Sequence, residues 1–529
     1  MGRRLEGPTI PDGGDVTKRW TVHQGDVREV LPTLEAQSFD AVLTDPPYEL
    51  TSGGKTGFMG KAWDGSGVAF EVAVWAAVLA ALRPGAHMLA FGGTRTFHRM
   101  TCAIEDGGFE VRDCCCYLYG SGFPKSLDIS KAIDKSAGAA RGADHLPRGT
   151  RALVDGESYR GGVGTKQTQV DVPVPAPATD AAKVWDGMGT ALKPAWEPCV
   201  LCRVPLDGTV AGNAQKHGVG GIAIDACRIG YVSDEDQAAA ARAAQRLCQD
   251  QNAGRTVYHD FNNGPASLQP YLDKQTLGRW PANVLLSHTD ECRFVGAQDS
   301  GETATQTRSS DKVVSQNRAM GGPNYDTSVV GSAHRPPVEI WDCVPDCPVR
   351  MLDEQSGNRP GMSGGGQHRA DYPGGMFGGI NSTATARGDF GGASRFFFTS
   401  KASRSDRDHG LISGPTLSVR ELLGRDPDSP GAKSPRAGAG GRHRNPHPTV
   451  KPTDLIEYLA KLILPPRGIG RPRRLLVPFA GSGSEMIGAL RAGWDEVVGI
   501  ELEYADIARE RLTHADVAHQ PDLFGGTAA

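Results

Sequence analysis

Two stretches of the chain alternate short apolar runs with amphipathic segments; a long stretch between them does not. At the amino-terminal end, "WTVHQ" reads as a strand, followed by a turn at Gly25-Asp26 and a helix. "SFDAVLTDPPY" is a second strand. "AFEVAVWAAVLAALRPG" has the helical apolar period and stops at Pro84-Gly85, and "AHMLAFGG" is a buried strand. A helix with a glycine stop ("FHRMTCAIEDGG") and a further strand ("FEVRDCCCYLYG") follow. The last 80 or so residues repeat the alternation: "DLIEYLAKLIL", "RRLLVPFAG", "SEMIGALRAG", "EVVGIEL" and "YADIARERL" read helix, strand, helix, strand, helix. Such alternation predicts a doubly wound, mostly parallel, Rossmann-like α/β sheet.

The sheet is written in two pieces around a large central insert. Residues 1–135 form the first piece. Residues 136–184 are rich in Gly, Ala, Pro and Val without a period and read as a linker or long loop. Residues 185–230 contain "ALKPAWEPCVLCRVPL", a return strand of the first domain. Residues 231–394 mix a charged helix, "DEDQAAAARAAQRL", with glycine-rich runs such as "GMSGGG" and "PGGMFGG". Residues 395–529 open on an apolar restart at 396–398, run through a polar, basic flank and end in the second α/β piece.

Composition narrows the class. With 69 glycines and 36 prolines, much of the chain is loop. No apolar run is long enough to span a bilayer, so no membrane association is expected. The first residues lack the apolar core of a signal peptide, and Leu5 and Glu6 stand where the Gly2 lipidation pattern wants other residues. A cytoplasmic protein is expected, with its 11 cysteines, Cys114, Cys115 and Cys116 adjacent among them, as reduced thiols. A net charge of −4 excludes a uniformly basic nucleic-acid binder but not a local patch. From Arg395 to Lys451 there are 11 Lys and Arg against 5 Asp and Glu, an excess of 11 − 5 = +6. That flank is either a solvated loop or a phosphate-binding patch.

Two short motifs carry chemistry. In "TDPPYEL" two prolines end a strand they cannot continue, because neither has an N–H to donate. Asp45 and Tyr48 flank Pro46 and Pro47. In "LLVPFAGSGSEMIGALRAG", Gly481 and Gly483 bend the chain sharply between a strand and a helix. Glu501 ends the next strand, where an acid suits the hydroxyls of a ribose. The dinucleotide fingerprint fails: Met486 stands at its third position, and Glu485 sits where a pyrophosphate wants no negative charge. A ligand with a ribose and no phosphates, such as S-adenosylmethionine, fits better. Taken alone, this motif reads equally as an ordinary glycine turn.

Together the motifs resemble the amino-group DNA methyltransferases, which make N6-methyladenine or N4-methylcytosine. The resemblance covers about residues 1–135 and 395–529. It implies the S-adenosylmethionine-dependent methyltransferase fold, with Asp45, Pro46, Pro47 and Tyr48 as the catalytic D-P-P-Y and Phe479 to Gly483 as the cofactor loop F-x-G-x-G. It also implies cofactor contacts by Asp26 in "GDVREVL", by Lys451 in "HPTVKPTDLIEYLAKLI", and by Phe479, Gly481, Gly483 and Glu501. The catalytic motif precedes the cofactor loop, the order of the family's β group, which puts target recognition at residues 231–394. The implied partner is double-stranded DNA, with a separate restriction endonuclease as an optional companion; oligomeric state stays open.

In this reading the Asp45 carboxylate and the Pro46 carbonyl accept both N–H groups of a flipped base's amine. Tyr48 stacks on the base, and the amine attacks the sulfonium methyl directly. Asp in the first motif position leans toward N6-adenine, with N4-cytosine as the alternative. One departure stands out: the family's acid before Pro-Phe is Val477 here. Either Glu485, one turn into the helix, replaces it, or the chain is a catalytically decayed DNA-binding homologue. RNA or protein-glutamine methylation would use a related tetrapeptide.

Three further features have two readings each. Cys199, after Pro198, could be the nucleophile of a carbon-5 cytosine methyltransferase, but that family places its cofactor loop first; Cys199 and Cys202 read as buried strand residues. No metal ligand is assigned to the catalytic site. His288 and Cys292, with Cys343 and Cys347, are either two halves of a tetrahedral zinc site or unrelated buried side chains. Arg442, Arg444 and Lys451 are expected to contact DNA phosphates.

Overall fold

The computed structural model describes residues 19–50, 62–120, 126–141, 145–155, 167–231, 278–289, 292–298, 338–345, 347–357, 393–401, 404–418, 442–447 and 449–515, with a few short pieces besides. The charged run "DEDQAAAARAAQRL" and the glycine-rich "GMSGGG" and "PGGMFGG" fall almost wholly outside them. The described chain divides into two compact units, 121–195 and the remainder.

The larger unit is built on nine strands: β1 (Trp20–Gln24), β2 (Phe39–Thr44), β3 (Leu82–Phe91), β4 (Glu110–Leu118), β5 (Trp196–Arg203), β6 (Val284–His288), β7 (Phe398–Lys401), β8 (Arg474–Val477) and β9 (Glu496–Glu501). Their order in one sheet is β1-β9-β8-β2-β3-β5-β4-β6-β7. All neighbours run parallel except at β5, which is antiparallel to β3 and β4. The result is the mixed α/β, mostly parallel sheet expected from the sequence.

Side-chain alternation explains why both faces are covered. Successive residues of a strand point to opposite sides. Ala41 and Leu43 of β2, with Leu89 and Phe91 of β3, join one core; Phe39 and Val42, with Met88 and Ala90, join the other. Helices α1 (Val72–Ala81) and α2 (Phe97–Asp106), from the amino-terminal piece, cover the second face. Helices α3 (Thr453–Leu462), α4 (Ser484–Ala492) and α5 (Ala505–His514), from the carboxyl-terminal piece, cover the first. Strands buried on both faces must be apolar throughout, which is why "FDAVLT" and "HMLAF" read as near-continuous runs.

The parallel strands leave their carboxyl ends at one edge of the sheet. Gly25-Asp26 follows β1, Asp45 follows β2, Pro478-Phe479 follows β8, and Glu501 closes β9. Ligands of open α/β sheets bind at that edge. Among the described residues no helix is long and apolar enough to cross a membrane.

The smaller unit has two short helices, Ile129–Ser136 and Asp180–Val184, and an antiparallel ribbon of His145–Asp155 with Gln167–Pro175. Buried Asp134 organises it, pairing with Arg141 at 2.8 Å and accepting from the Ala178 and Thr179 amides, both at 3.0 Å. Residues 136–184 are therefore not a plain linker. The period-two valines of "TQVDVPVP" are the strand signal that the surrounding Gly and Pro obscure. Nor is 231–394 wholly separate from the sheet, because β6 lies within it and pairs with β4 and β7.

Helix α4, which follows the glycine turn after β8, approaches α3 closely. A Cβ on Gly488 would lie 2.6 Å from Ile456 Cγ2 and 2.9 Å from the Glu457 backbone nitrogen. Gly488→Ala gains about 1 kcal/mol of helix propensity, but overpacking against backbone costs about 1–3 kcal/mol. Gly488→Val adds two more carbons to the same clash. A lowered denaturant midpoint, larger for Val than for Ala, is the expected result; an unchanged midpoint for Val would show that the helices have room.

Candidate active site

The site grows from the ends of β2, β8 and β9. β2 stops at Thr44, and the chain turns through Asp45, Pro46, Pro47 and Tyr48. The Thr96 hydroxyl fixes this turn by donating to the Tyr48 carbonyl at 2.5 Å. Next comes Glu49, a non-glycine residue at φ +51°. A left-handed residue of this kind costs on the order of 1 kcal/mol and persists only where its surroundings hold it. Here burial and a 3.1 Å bond from the Ser66 hydroxyl to its carboxylate hold it.

A single buried cation locks the tetrapeptide. The Lys451 ammonium lies 2.9 Å from Asp45 Oδ2, 3.0 Å from Glu197 Oε2 and 2.8 Å from the Tyr48 hydroxyl. It also sits 4.7 Å from the centre of the Phe91 ring. Burial alone would strip its proton; the Asp45 and Glu197 carboxylates outweigh that and hold the ammonium well above its ordinary value. Burial, then the charges of Asp45 and Glu197, push Tyr48 up, so it remains a neutral phenol. Its hydroxyl donates to Glu197 Oε2 at 3.3 Å.

With Oδ2 taken by Lys451, Asp45 Oδ1 is buried and meets no donor among the described residues. Such an acceptor costs free energy to leave unmet.

The second half of the site is the turn after β8. Val477 is fully buried in the sheet, and Phe479 packs at 6.4 Å from Trp75. Gly481 has φ +52°, and a Cβ there would lie 3.1 Å from His447 Nε2. Gly483, at φ +85°, caps α4 and provides the bend; Gly481, not Gly483, lines the cleft. Glu501 Oε2 accepts from the Gly481 amide at 2.7 Å, while Oε1 accepts from the Glu503 and Tyr504 amides at 2.9 and 3.1 Å. Asp26 caps the Val27–Val30 turn and pairs with Arg28 at 2.6 Å. Glu485 is buried beside the cleft; burial first, then the charge of Asp45, push its carboxyl up to about 7.

A cleft open to solvent lies between these loops. Asp26, Asp45, Pro46, Pro47, Tyr48, Lys451, Phe479, Gly481 and Glu501 all line it. Glu197, His447 and Glu485 line it too.

One sequence-based reading changes here. Lys451 is not a phosphate contact, because its three N–H donors are directed at Asp45, Glu197 and Tyr48 in a buried site. Arg444 is exposed, and the side chain of Arg442 lies outside the described residues. Glu197 had no signal of its own: only the strand pairing of β5 with β3 shows that it faces Lys451. The neighbouring Cys199 is fully buried in β5, and burial raises its thiol well above the ordinary value, the opposite of an activated nucleophile.

No family model matches the chain, and no curated protein matches it. Among solved structures, it is similar to a candidate DNA modification methylase from Thermus thermophilus complexed with S-adenosyl-L-methionine, at 12% identity, 93% and 94% coverage of the two chains and TM-score 0.27. The M1.HpyAVI–SAM complex gives 10%, 93% and 98%, and 0.28. The cytosine-N4-specific PvuII DNA methyltransferase gives 10%, 94% and 86%, and 0.32. Likeness at this level assigns no function; the chain's own geometry has to carry that.

The Lys451 cluster makes a stability prediction. Its ammonium is held above the ordinary value, so the pairing is fully present at neutral pH and is lost only as pH climbs past that raised value. Lys451→Met leaves two carboxylates facing each other without a cation, a loss of about 3–5 kcal/mol. Denaturant midpoints of both proteins at pH 7 measure this; an unchanged midpoint would show that the cation does not hold the two acids in place.

Proposed function

We propose that the chain is an S-adenosylmethionine-dependent methyltransferase that modifies the exocyclic amine of a flipped DNA base, N6 of adenine in preference to N4 of cytosine. The observation that carries this reading is Asp45 Oδ1, a buried acceptor that meets no donor among the described residues, on a residue that lines the cleft. An exocyclic amine is a poor nucleophile because its lone pair is delocalised into the ring. Two fixed acceptors, Asp45 Oδ1 and the Pro46 carbonyl, would take its two N–H bonds and localise that pair on nitrogen. Lys451 holds Asp45 through Oδ2, so the acceptor is oriented before the base arrives. The Tyr48 ring is the stacking face.

The cofactor supplies an electrophilic methyl on a sulfonium; the N–C bond forms as the S–C bond breaks, and the amine's proton leaves to solvent. The residues present fit such a ligand. Glu501 is anchored by three backbone amides and retains lone pairs for ribose hydroxyls. Glu485 is a buried acid that forms no ion pair among the described residues, suited to the ligand's amino group and able to stand in for the acid missing at Val477. The likeness of both motifs to the amino-group DNA methyltransferases supports DNA over RNA or protein, as does the basic flank. Adenine rests on the acid in the first motif position.

Asp45→Ala should lower methyl transfer to duplex DNA by at least about a hundredfold, roughly 3 kcal/mol, with cofactor binding largely kept. Labelled cofactor, duplex DNA and nucleoside mass spectrometry give the rate and the modified base together. A variant with most of its activity would sink the assignment of Asp45.

Glu485 makes a separate pH prediction. With its carboxyl near pH 7, it must lose a proton to meet a cation. Cofactor affinity should therefore rise about tenfold per pH unit below 7 and level off above it. Glu485→Gln should bind more weakly at pH 8 and lose most of that slope. Calorimetric titration from pH 5.5 to 8 tests this, and unchanged affinity in the variant would end the stand-in role.

A further inference from the structure

Away from the cleft the fold gathers one more set of reactive side chains. β6 ends at His288, and a tight turn brings Cys292 back to it, with the Cys292 amide donating to the Thr289 carbonyl at 3.1 Å. A second turn of the same kind, closed by the Cys347 amide on the Val344 carbonyl at 3.1 Å, brings Cys343 and Cys347 together. The two turns meet. One ligand atom from each of His288, Cys292, Cys343 and Cys347 lies within 4.8 Å of every other.

We infer that His288, Cys292, Cys343 and Cys347 form a structural zinc site that fastens residues 293–342 and the helix Pro348–Ser356 to the end of β6. His288 Nδ1 lies 3.3 Å from Cys343 Sγ and 3.5 Å from Cys347 Sγ. A tetrahedral zinc with Zn–N near 2.05 Å and Zn–S near 2.3 Å has N···S edges of roughly 3.6 Å. These two separations already stand close to that edge. Three sulfurs and an imidazole suit zinc and exclude calcium and magnesium, which take oxygen. All four positions are filled by the protein, so the site is closed and has no place for a metal-bound water.

The surroundings orient the ligands. The Trp341 ring lies 4.6 Å from the His288 ring at 31°, and Phe294 packs edge-on to Trp341 at 5.3 Å. The Thr289 hydroxyl is 3.3 Å from Cys292 Sγ. Cys347 is the N-cap of Pro348–Ser356, at the positive end of the helix dipole. Arg350 donates to the Cys343 carbonyl at 2.8 Å. His288, Cys292 and Cys347 are buried.

Placement gives the site its purpose. In the sheet order β6 stands four strand spacings from β2, about 19 Å at ~4.8 Å per spacing. Both strands end at the same edge, so the metal would tie Cys292, Cys343 and Cys347 to that edge through His288. The assignment does not depend on the reaction proposed above.

The test is elemental analysis of full-length protein purified without chelator. The expected result is about one zinc per chain. Cys292→Ser and Cys343→Ser should each fall below about 0.2 equivalents, while Cys102→Ser, at an exposed thiol outside the cluster, keeps the full amount. Should the cluster variants fail to fold, wild-type protein stripped by chelator and returned to cobalt(II) gives the second readout: intense visible bands of tetrahedral thiolate coordination. Iron in place of zinc, metal below about 0.2 equivalents in the wild type, or loss of two alkylatable thiols to a disulfide would each overturn the site.

Discussion

The parallel register of β2 against β8 is the constraint on which the site depends. Leu475 pairs with Ala41 and Leu476 with Val42, joining segments 434 residues apart in the chain. Asp40 fixes this register from a fully buried position. It accepts from the Arg474 amide at 2.8 Å and from Arg83 at 3.2 Å, and it pairs with Arg471 at 2.5 Å. A slip of one residue would move Asp45 by about 3.3 Å relative to Phe479. It would also exchange the two apolar faces of β2, each of which has its own core. Both cores therefore enforce the alignment of catalytic tetrapeptide and glycine turn.

Charge balance does the rest. Asp45, Glu197 and Glu485 are among the acids that line a cleft into which one buried ammonium projects. Lys451 neutralises part of that field and directs what is left. One carboxylate oxygen is committed to it and the other faces the cavity. Burial, and after it the Asp45 charge, keeps the Glu485 carboxyl up at about 7, so its negative charge is costly until a cation arrives. The site is thus poised for a ligand that brings positive charge and N–H donors together.

The parallel sheet and the two motifs were legible because the signals were local: apolar runs of strand length, prolines at a strand end, glycines at a turn. The tetrapeptide and Phe479 and Gly481 of the glycine loop line one cleft. What was not legible depended on long-range pairing. Glu197 faces Lys451 only because β5 runs antiparallel to β3. Lys451 looked like part of a basic flank because sequence carries no burial. The ribbon at 145–175 hid behind glycine and proline, and β6, five residues inside an irregular stretch, was too short to stand out.

The one antiparallel strand has a consequence for how this chain could have been assembled. β4 and β5 pair along their length, with Leu118 opposite Trp196. The residues that bracket the unit 121–195 are therefore already neighbours within the sheet, where a short hairpin turn would join them. Closing such a loop costs entropy that grows only with the logarithm of its length, so a module of seventy-five residues is tolerated almost as readily as a turn. The junction is a natural port: the catalytic sheet can gain, lose or exchange what hangs there without a change in its strand order.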